Sequence, residues 1–290
     1  MKEISLKTFL RKYPHDEACL DEIFKKKYPD GAYCEVCQKI TAHFKLKGRF
    51  VYSCTWCRHQ ISPLVNTIFE HSTVPLRLWF YAIFLMTKTR SGISAKQLER
   101  ELGVSYKTAH RMFKLIRRGM GSKGGILTGD VEVDEAFFGG KGYNRKYEWY
   151  EKEKQTVMGM VERRGKAQLK LIPDTSNATL LTEIEKQIDK DARIISDQFP
   201  AYMKLPKLGY NHISVNHSKE VVSREAHTQN IENVWSNIKR GIYGVYRHVS
   251  NEYLQQYINE YTFRYNYRNE PEIMFDMLLT RVAFERSVGA

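Results

Sequence analysis

Asp130-Val131-Glu132-Val133-Asp134-Glu135-Ala136-Phe137-Phe138 reads as a single β-strand, with Val131 and Val133 on one face and acids between and after them. Everything downstream follows its lead. Gln155 to Glu162, the turn Arg163-Arg164-Gly165, and Ala167 to Ile172 predict a β-hairpin. Ala178 to Ile188 predicts an amphipathic helix. Ala192 to Ser196 predicts a short apolar strand running into Asp197, and Asn211 to Val215 a further strand. Helices are expected over residues 228–242 and 251–267. Strands alternating with helices in this way predict an α/β layer.

Upstream of Gly129 the character differs. Residues 4–28 predict helix, with Phe9, Leu10, Cys19, Leu20, Ile23 and Phe24 on an apolar face and Pro14 dividing it. Residues 73–120 predict further helices, and Lys123-Gly124-Gly125 resembles a linker. The chain is therefore expected to be an α+β multidomain protein. Residues 1–72 form the first segment, 73–125 the second and 126–290 the third.

Charge divides the chain at the same place. Of a net charge of +13, residues 1–125 carry 23 basic and 10 acidic side chains, while residues 126–290 carry 23 of each. A basic front half beside a balanced back half predicts a polyanion-binding module joined to something else. The longest apolar run, Leu78 to Met86, is far short of the roughly 20 residues that span a bilayer. It reads as a buried helix, and no membrane association is expected. No secretory leader is visible, and the expected compartment is the cytoplasm, where thiols stay reduced.

Cys34-x2-Cys37 and Cys54-x2-Cys57, separated by 16 residues, have the spacing of a four-thiolate zinc ribbon. Each pair offers two thiolates from one tight turn. A closed set of four leaves no open coordination position, so the Zn²⁺ expected there is structural. Lys45, Lys47, Arg49 and Arg58 surround the pairs together with Tyr52 and Trp56, a mixture suited to a phosphate backbone. Cys19 stands alone and reads as core. His43 and His59 are spare donors that four cysteines make unnecessary.

Ser94-Ala95-Lys96-Gln97 forms a capping box, Leu98 and Leu102 repeat at helical spacing, and Gly103 falls where a sharp turn needs positive φ. Ser105 then opens a second helix with Ala109, Phe113 and Ile116 inward. Tyr106, Lys107, His110, Arg111 and Lys114 face outward. This is the pattern of a helix-turn-helix with a basic recognition helix.

Three acids stand out in the third segment. Asp134 lies on the opening strand, Asp197 follows Ile194-Ile195-Ser196, and Glu232 lies on a helix beside the apolar positions Ile231, Trp235 and Ile238. Glu232, Ser236 and Lys239 share a neighbouring helical face. Strand-borne and helix-borne carboxylates together can hold hard divalent ions such as Mg²⁺. Spacing alone does not select Asp134 over Glu132 or Glu135.

The run from Val131 to Lys141, the segment Ile195-Ser196-Asp197 with Tyr202, and the stretch from His227 to Gly241 resemble the three catalytic motifs of ISXO-like insertion-sequence transposases. His248-Val249-Ser250 and Arg264-Tyr265-Asn266-Tyr267-Arg268 continue that signature. The cysteine pairs and the helix pair are similar to the same family's N-terminal half. The resemblance implies an RNase H-like catalytic core with a mixed sheet, and a DDE triad at Asp134, Asp197 and Glu232 that binds two Mg²⁺ or Mn²⁺ ions. It places a catalytic basic residue at Lys239 and a DNA contact at Arg240, and His217 near the active site. It further implies binding to the terminal inverted repeats, strand cleavage, strand transfer, and a homo-oligomer on double-stranded DNA. Two other readings stay open: a non-catalytic DNA-binding regulator, and an RNase H-like nuclease that only hydrolyses.

Overall fold

A computed structural model describes residues 4–121, 125–139, 154–215 and 227–284. The chain separates into two compact units. One contains residues 1–120 and 269–290, the other residues 121–268.

In the first unit, Pro14 divides the leading helices as its lack of a backbone donor requires. Helix α1 is Leu6–Lys12 and α2 is Asp16–Lys27. The ribbon follows as β1 (Ala32–Cys34) paired with β2 (Lys39–Thr41), and β3 (His43–Lys45), β4 (Tyr52–Cys54) and β5 (Gln60–Ile61) as a three-stranded antiparallel sheet. Helices α3 (Leu76–Lys88), α4 (Ala95–Leu102) and α5 (Tyr106–Gly119) complete it. The Leu78–Met86 run lies in α3, where Trp79, Phe80, Ile83, Phe84 and Met86 are buried. Among the described residues no helix is long and apolar enough to cross a membrane.

The last helix, α9 (Met274–Ala283), departs from the sequence division at 126–290. It folds with this first unit, against α2, α3 and α5. Phe275 enters an aromatic cluster with Phe9, Tyr13 and Phe80, its ring centroid 5.9 Å from that of Phe9. An apolar stripe in a sequence declares that it will be buried, but not against which partner. Nor do residues 1–72 and 73–125 separate: α2 packs on α3 within the same unit.

The second unit is built on the five predicted strands. These are β6 (Asp130–Phe138), β7 (Gln155–Glu162), β8 (Ala167–Ile172), β9 (Arg193–Ser196) and β10 (Asn211–Ser214). Their order in the sheet is β10-β9-β6-β7-β8. The pairs β6·β7 and β7·β8 are antiparallel; β6·β9 and β9·β10 are parallel. Helix α6 (Asn177–Gln187) covers one face through Leu180 and Ile184, against Val131, Val133, Met158 and Met160. Helices α7 (Gln229–Gly241) and α8 (Leu254–Asn266) cover the other, where Ile231, Val234, Trp235 and Ile258 meet Ala136, Phe138, Val157 and Val161. The residues of β6 and β7 alternate between the two cores, as the two-residue period of a strand demands. Three antiparallel strands followed by two parallel ones, with helices on both faces, form an RNase H-like core.

Candidate metal and catalytic sites

The ribbon gathers its sulfurs. The ligand atoms of Cys34, Cys37, Cys54 and Cys57 all lie within 4.8 Å of one another, with Cys34 Sγ 3.4 Å from Cys57 Sγ and Cys37 Sγ 3.9 Å from Cys54 Sγ. A Zn–S bond of about 2.3 Å puts the edge of a tetrahedron near 3.8 Å, so these separations suit four ligands around one ion. They are too long for a disulfide, whose sulfurs stand about 2.05 Å apart. The two turns are alike: Gln38 and Arg58, each directly after the second cysteine of its pair, have φ of 50° and 65°. The thiols titrate unequally. The Thr41 hydroxyl draws Cys54 down to about 5, whereas hydrogen bonding to Cys57 pushes Cys37 up to about 12. Four thiolates cannot coexist at this separation without a cation between them. His43 and His59 are outside the cluster. Cys19 is buried on α2, and burial pushes its thiol up to about 12, as fits a core residue.

Around the ribbon, Lys47, Arg49 and Arg58 are exposed, Arg58 lying over the Phe44 ring at 5.1 Å. Trp56 is 72% exposed, with Lys39 Nζ 4.1 Å from its ring centroid. Lys45 and Tyr52 are placed differently. Lys45 Nζ pairs with Asp21 at 2.7 Å, and the Tyr52 hydroxyl donates to the same carboxylate. Tyr52 also stacks on Phe24 at 3.8 Å. Both anchor the ribbon to α2.

The helix pair is capped as its sequence predicts. Ser94 Oγ accepts from Gln97 N at 3.1 Å, Ser105 Oγ from Thr108 N at 3.3 Å, and Gly103 takes φ of 65°. Ala109, Phe113 and Ile116 are buried; Tyr106, Lys107 and Arg111 are exposed, and His110 and Lys114 half-buried.

In the second unit, Asp134 lies on β6 and Asp197 just beyond the end of β9, the parallel neighbour of β6. Glu232 lies in the first turn of α7. Asp134 and Asp197 are half-buried, Glu232 exposed. Burial raises the Asp134 carboxyl above its usual range, and the charges of Asp197 and Glu232 add to the rise. The Glu135 backbone N–H and the Trp235 indole oppose it. Asp134 thus feels the charges of Asp197 and Glu232, although 98 residues separate it from the latter; among the described residues only the four cysteines bring their ligand atoms to metal-binding distance. Asp197 is oriented by its own turn, accepting from Phe199 N at 3.0 Å. The Thr228 hydroxyl donates to Glu232 at 3.1 Å. Lys239 and Arg240 are exposed on α7, with Lys239 Nζ 5.9 Å from the Phe138 ring centroid. His217, Lys141 and Lys123-Gly124 lie outside the described residues.

Four residues in this region carry contacts that spacing did not reveal. Trp235 Nε1 donates to Asp134 Oδ2 at 3.0 Å while its ring is buried among Ile231 and Ile238. Gly159 is the cross-strand partner of Asp134, and a Cβ there would stand 2.5 Å from the Trp235 ring. The missing side chain is what lets the indole lie against the sheet. Glu135, on the opposite face of β6, accepts from the Tyr202 hydroxyl; burial, then the charges of Asp134 and Asp197, push its carboxyl up to about 8. Glu132 is wholly buried and caps α7. Its Oε2 accepts from the backbone N–H groups of Asn230 (2.9 Å) and Ile231 (3.1 Å), and its Oε1 from Asn230 Nδ2 (2.7 Å) and Arg163 Nε (2.9 Å). The strand thus sorts its own acids: Glu132 supports a helix, Glu135 holds a tyrosine, and Asp134 accepts from the Trp235 indole.

Residues 126–266 match the family described as ISXO2-like transposase domain. The second unit is an ISXO2-like transposase domain. A protein of Halobacterium salinarum in the transposable element ISH50 is 33% identical over 113 residues, 38% of this chain and 38% of that protein. The aligned part is thus well under half of that relative. A transposase-like protein of Haemophilus influenzae is 26% identical over 96 residues, 33% of this chain and 77% of that one. Among solved structures, the magnesium-bound HTLV-2 integrase catalytic core domain aligns with 49% of this chain and 87% of its own, at 14% identity and a TM-score of 0.29. In the ISXO2-like domain the fold rests on strand order and register, and the placement of the acids rests on the contacts above.

Proposed function

We propose that the protein is a DNA transposase that binds the terminal inverted repeats of its element and catalyses metal-dependent strand cleavage and strand transfer. What supports this reading is the match of residues 126–266 to the ISXO2-like transposase domain, together with the placement of Asp134 on β6, Asp197 just after the neighbouring β9 and Glu232 in the first turn of α7, with the charges of the latter two felt at Asp134. Burial and the charges of Asp197 and Glu232 raise the proton affinity of Asp134, a penalty that a bound divalent cation relieves, and an all-oxygen donor set suits Mg²⁺ or Mn²⁺. Two such ions, when bound, supply the positive charge that activates the attacking oxygen and stabilises the leaving one.

The residues of the chain do the rest. Trp235 and Gly159 fix the Asp134 carboxylate, and the Phe199 N–H fixes Asp197. Lys239 meets DNA phosphate near the cut, and Arg240 extends that contact along the backbone. The zinc-stabilised ribbon, through Lys47, Arg49 and Arg58, and helix α5, through Tyr106, Lys107, His110, Arg111 and Lys114, bind the element's ends. A homo-oligomer pairs two ends, and the reaction takes place in the cytoplasm.

The test is incubation of purified protein with labelled transposon-end DNA in Mg²⁺. Cleavage that exposes a 3′-hydroxyl, followed by its joining to a target plasmid, is expected. Cleavage without joining would identify a nuclease. Binding without either would identify a regulator.

A further inference from the structure

We propose that Glu132 is a positioning residue for the carboxylate site, setting the register of α7 on β6; the inference rests on the catalytic reading of Asp134, Asp197 and Glu232. Two polar rungs join this strand to this helix. Glu132 accepts from Asn230 N and Ile231 N, and Asp134 accepts from Trp235 Nε1. From Ile231 to Trp235 the helix advances about 6 Å. From Glu132 to Asp134 the strand advances about 6.7 Å. The rungs therefore match in pitch, and Glu232, adjacent to Ile231, lies between them. A slip of one residue would shift the helix by about 1.5 Å and turn it by about 100°, carrying Glu232 away from Asp134.

The apolar contacts of α7 cannot set this register by themselves. Ile231, Val234, Trp235 and Ile238 pack on Ala136, Phe138, Val157 and Val161 through forces with no directional preference. Hydrogen bonds are directional, and those at Glu132 are numerous. Thr228, at the N-cap of α7, makes no side-chain cap bond, so the strand's carboxylate caps the helix from across the interface. Arg163, from the β7–β8 turn, binds Glu132 through Nε and the His227 carbonyl through Nη2 at 2.8 Å. One carboxylate thus joins β6, the hairpin turn and the start of α7. The hydrogen bonds assigned to it all come from donors, so a glutamine amide, equal in size, would turn two N–H groups toward other N–H groups.

The experiment compares full-length protein with Glu132→Gln, Asn230→Ala, Asp134→Asn and Val161→Ala. Mn²⁺ binding is followed by calorimetry, amide exchange at Asn230, Ile231 and Glu232 by mass spectrometry, and stability by thermal unfolding. Groups that orient metal ligands typically change metal affinity by about 10–100-fold. Glu132→Gln is expected to weaken Mn²⁺ binding by about tenfold or more and to speed exchange at the start of α7. Asn230→Ala, which removes one donor and keeps the cap, should show a smaller change of both kinds. Val161→Ala, buried on the same face without a polar contact, controls for lost stability. Unchanged Mn²⁺ affinity in Glu132→Gln overturns the proposal. So does an equal loss in Val161→Ala at the same unfolding midpoint. Should Glu132→Gln fail to fold, an Asn230→Ala variant with wild-type Mn²⁺ affinity and exchange overturns it. If wild type and Asp134→Asn bind Mn²⁺ alike, the carboxylate reading fails instead, and exchange at Asn230 and Ile231 still decides whether Glu132 holds the register.

Discussion

The ribbon and the carboxylate site gather like charges in opposite ways. Cys34, Cys37, Cys54 and Cys57 come from a stretch of 24 residues, and two tight turns suffice to aim their sulfurs at one point. Asp134, Asp197 and Glu232, the proposed dispersed site, come from two strands and a helix spread over 99 residues, and their placement depends on β9 lying parallel to β6 and on α7 packing across the sheet. A local site needs its ligands and little else. A dispersed site depends on every contact that sets one element against another, which is why its supporting residues outnumber its carboxylates.

The largest expected effect breaks the comparison at the dispersed site. Asp134→Asn or Asp197→Asn should abolish cleavage of labelled end DNA in Mg²⁺ while leaving end binding intact by gel shift. A variant that still cuts would remove its residue from the triad. Next comes the local site. Cys37→Ser should release the metal, measured by elemental analysis, and melt the ribbon, because structural zinc contributes about 10–16 kcal/mol in ribbon-sized peptides. End binding should fall while the exchange protection of β6 and β7 persists; a folded, zinc-free ribbon would contradict this.

Gly159→Ala probes the supports. A methyl group at 2.5 Å from the Trp235 ring must displace it. Since a misplacement of about 1 Å can lower a rate about 10²-fold, cleavage should drop on that order with binding unchanged. Wild-type cleavage rates would show that the indole does not fix Asp134. The smallest effect is Ser94→Ala, which removes the cap of α4 and should cost about 1 kcal/mol, seen as a fall of a few degrees in the first unit's unfolding midpoint.

Legibility follows the same division. The cysteine spacing predicted the four-thiolate cluster, and hydrophobic periodicity placed β6, β7 and β8 at their observed bounds, because both are short-range properties of the chain. The sheet order was not legible from alternation, since a strand's pattern states which face is buried and not which strand lies beside it. Nor could three acids within four residues of β6 be told apart, because Asn230, Trp235 and Tyr202, which distinguish them, lie 67 to 101 residues away in sequence. Gly159 carried no signal of its own; its role exists only once the Trp235 ring is seated above it.

The helix α9 has a consequence for the order in which the protein is made. The first unit is interrupted by residues 121–268 and completed by Phe275, Leu278 and Leu279, so its aromatic core stays open until the last helix emerges. At ordinary synthesis rates those intervening residues take roughly 7–30 s. During that interval the RNase H-like unit can close on its own, but the ribbon-bearing unit cannot. Released chains truncated after residue 268 should therefore resist protease across 154–215 and at the zinc-held ribbon, while the helical segments 4–28 and 73–120 are digested. A nascent chain is thus unable to complete its ribbon-bearing unit before α9 has been translated.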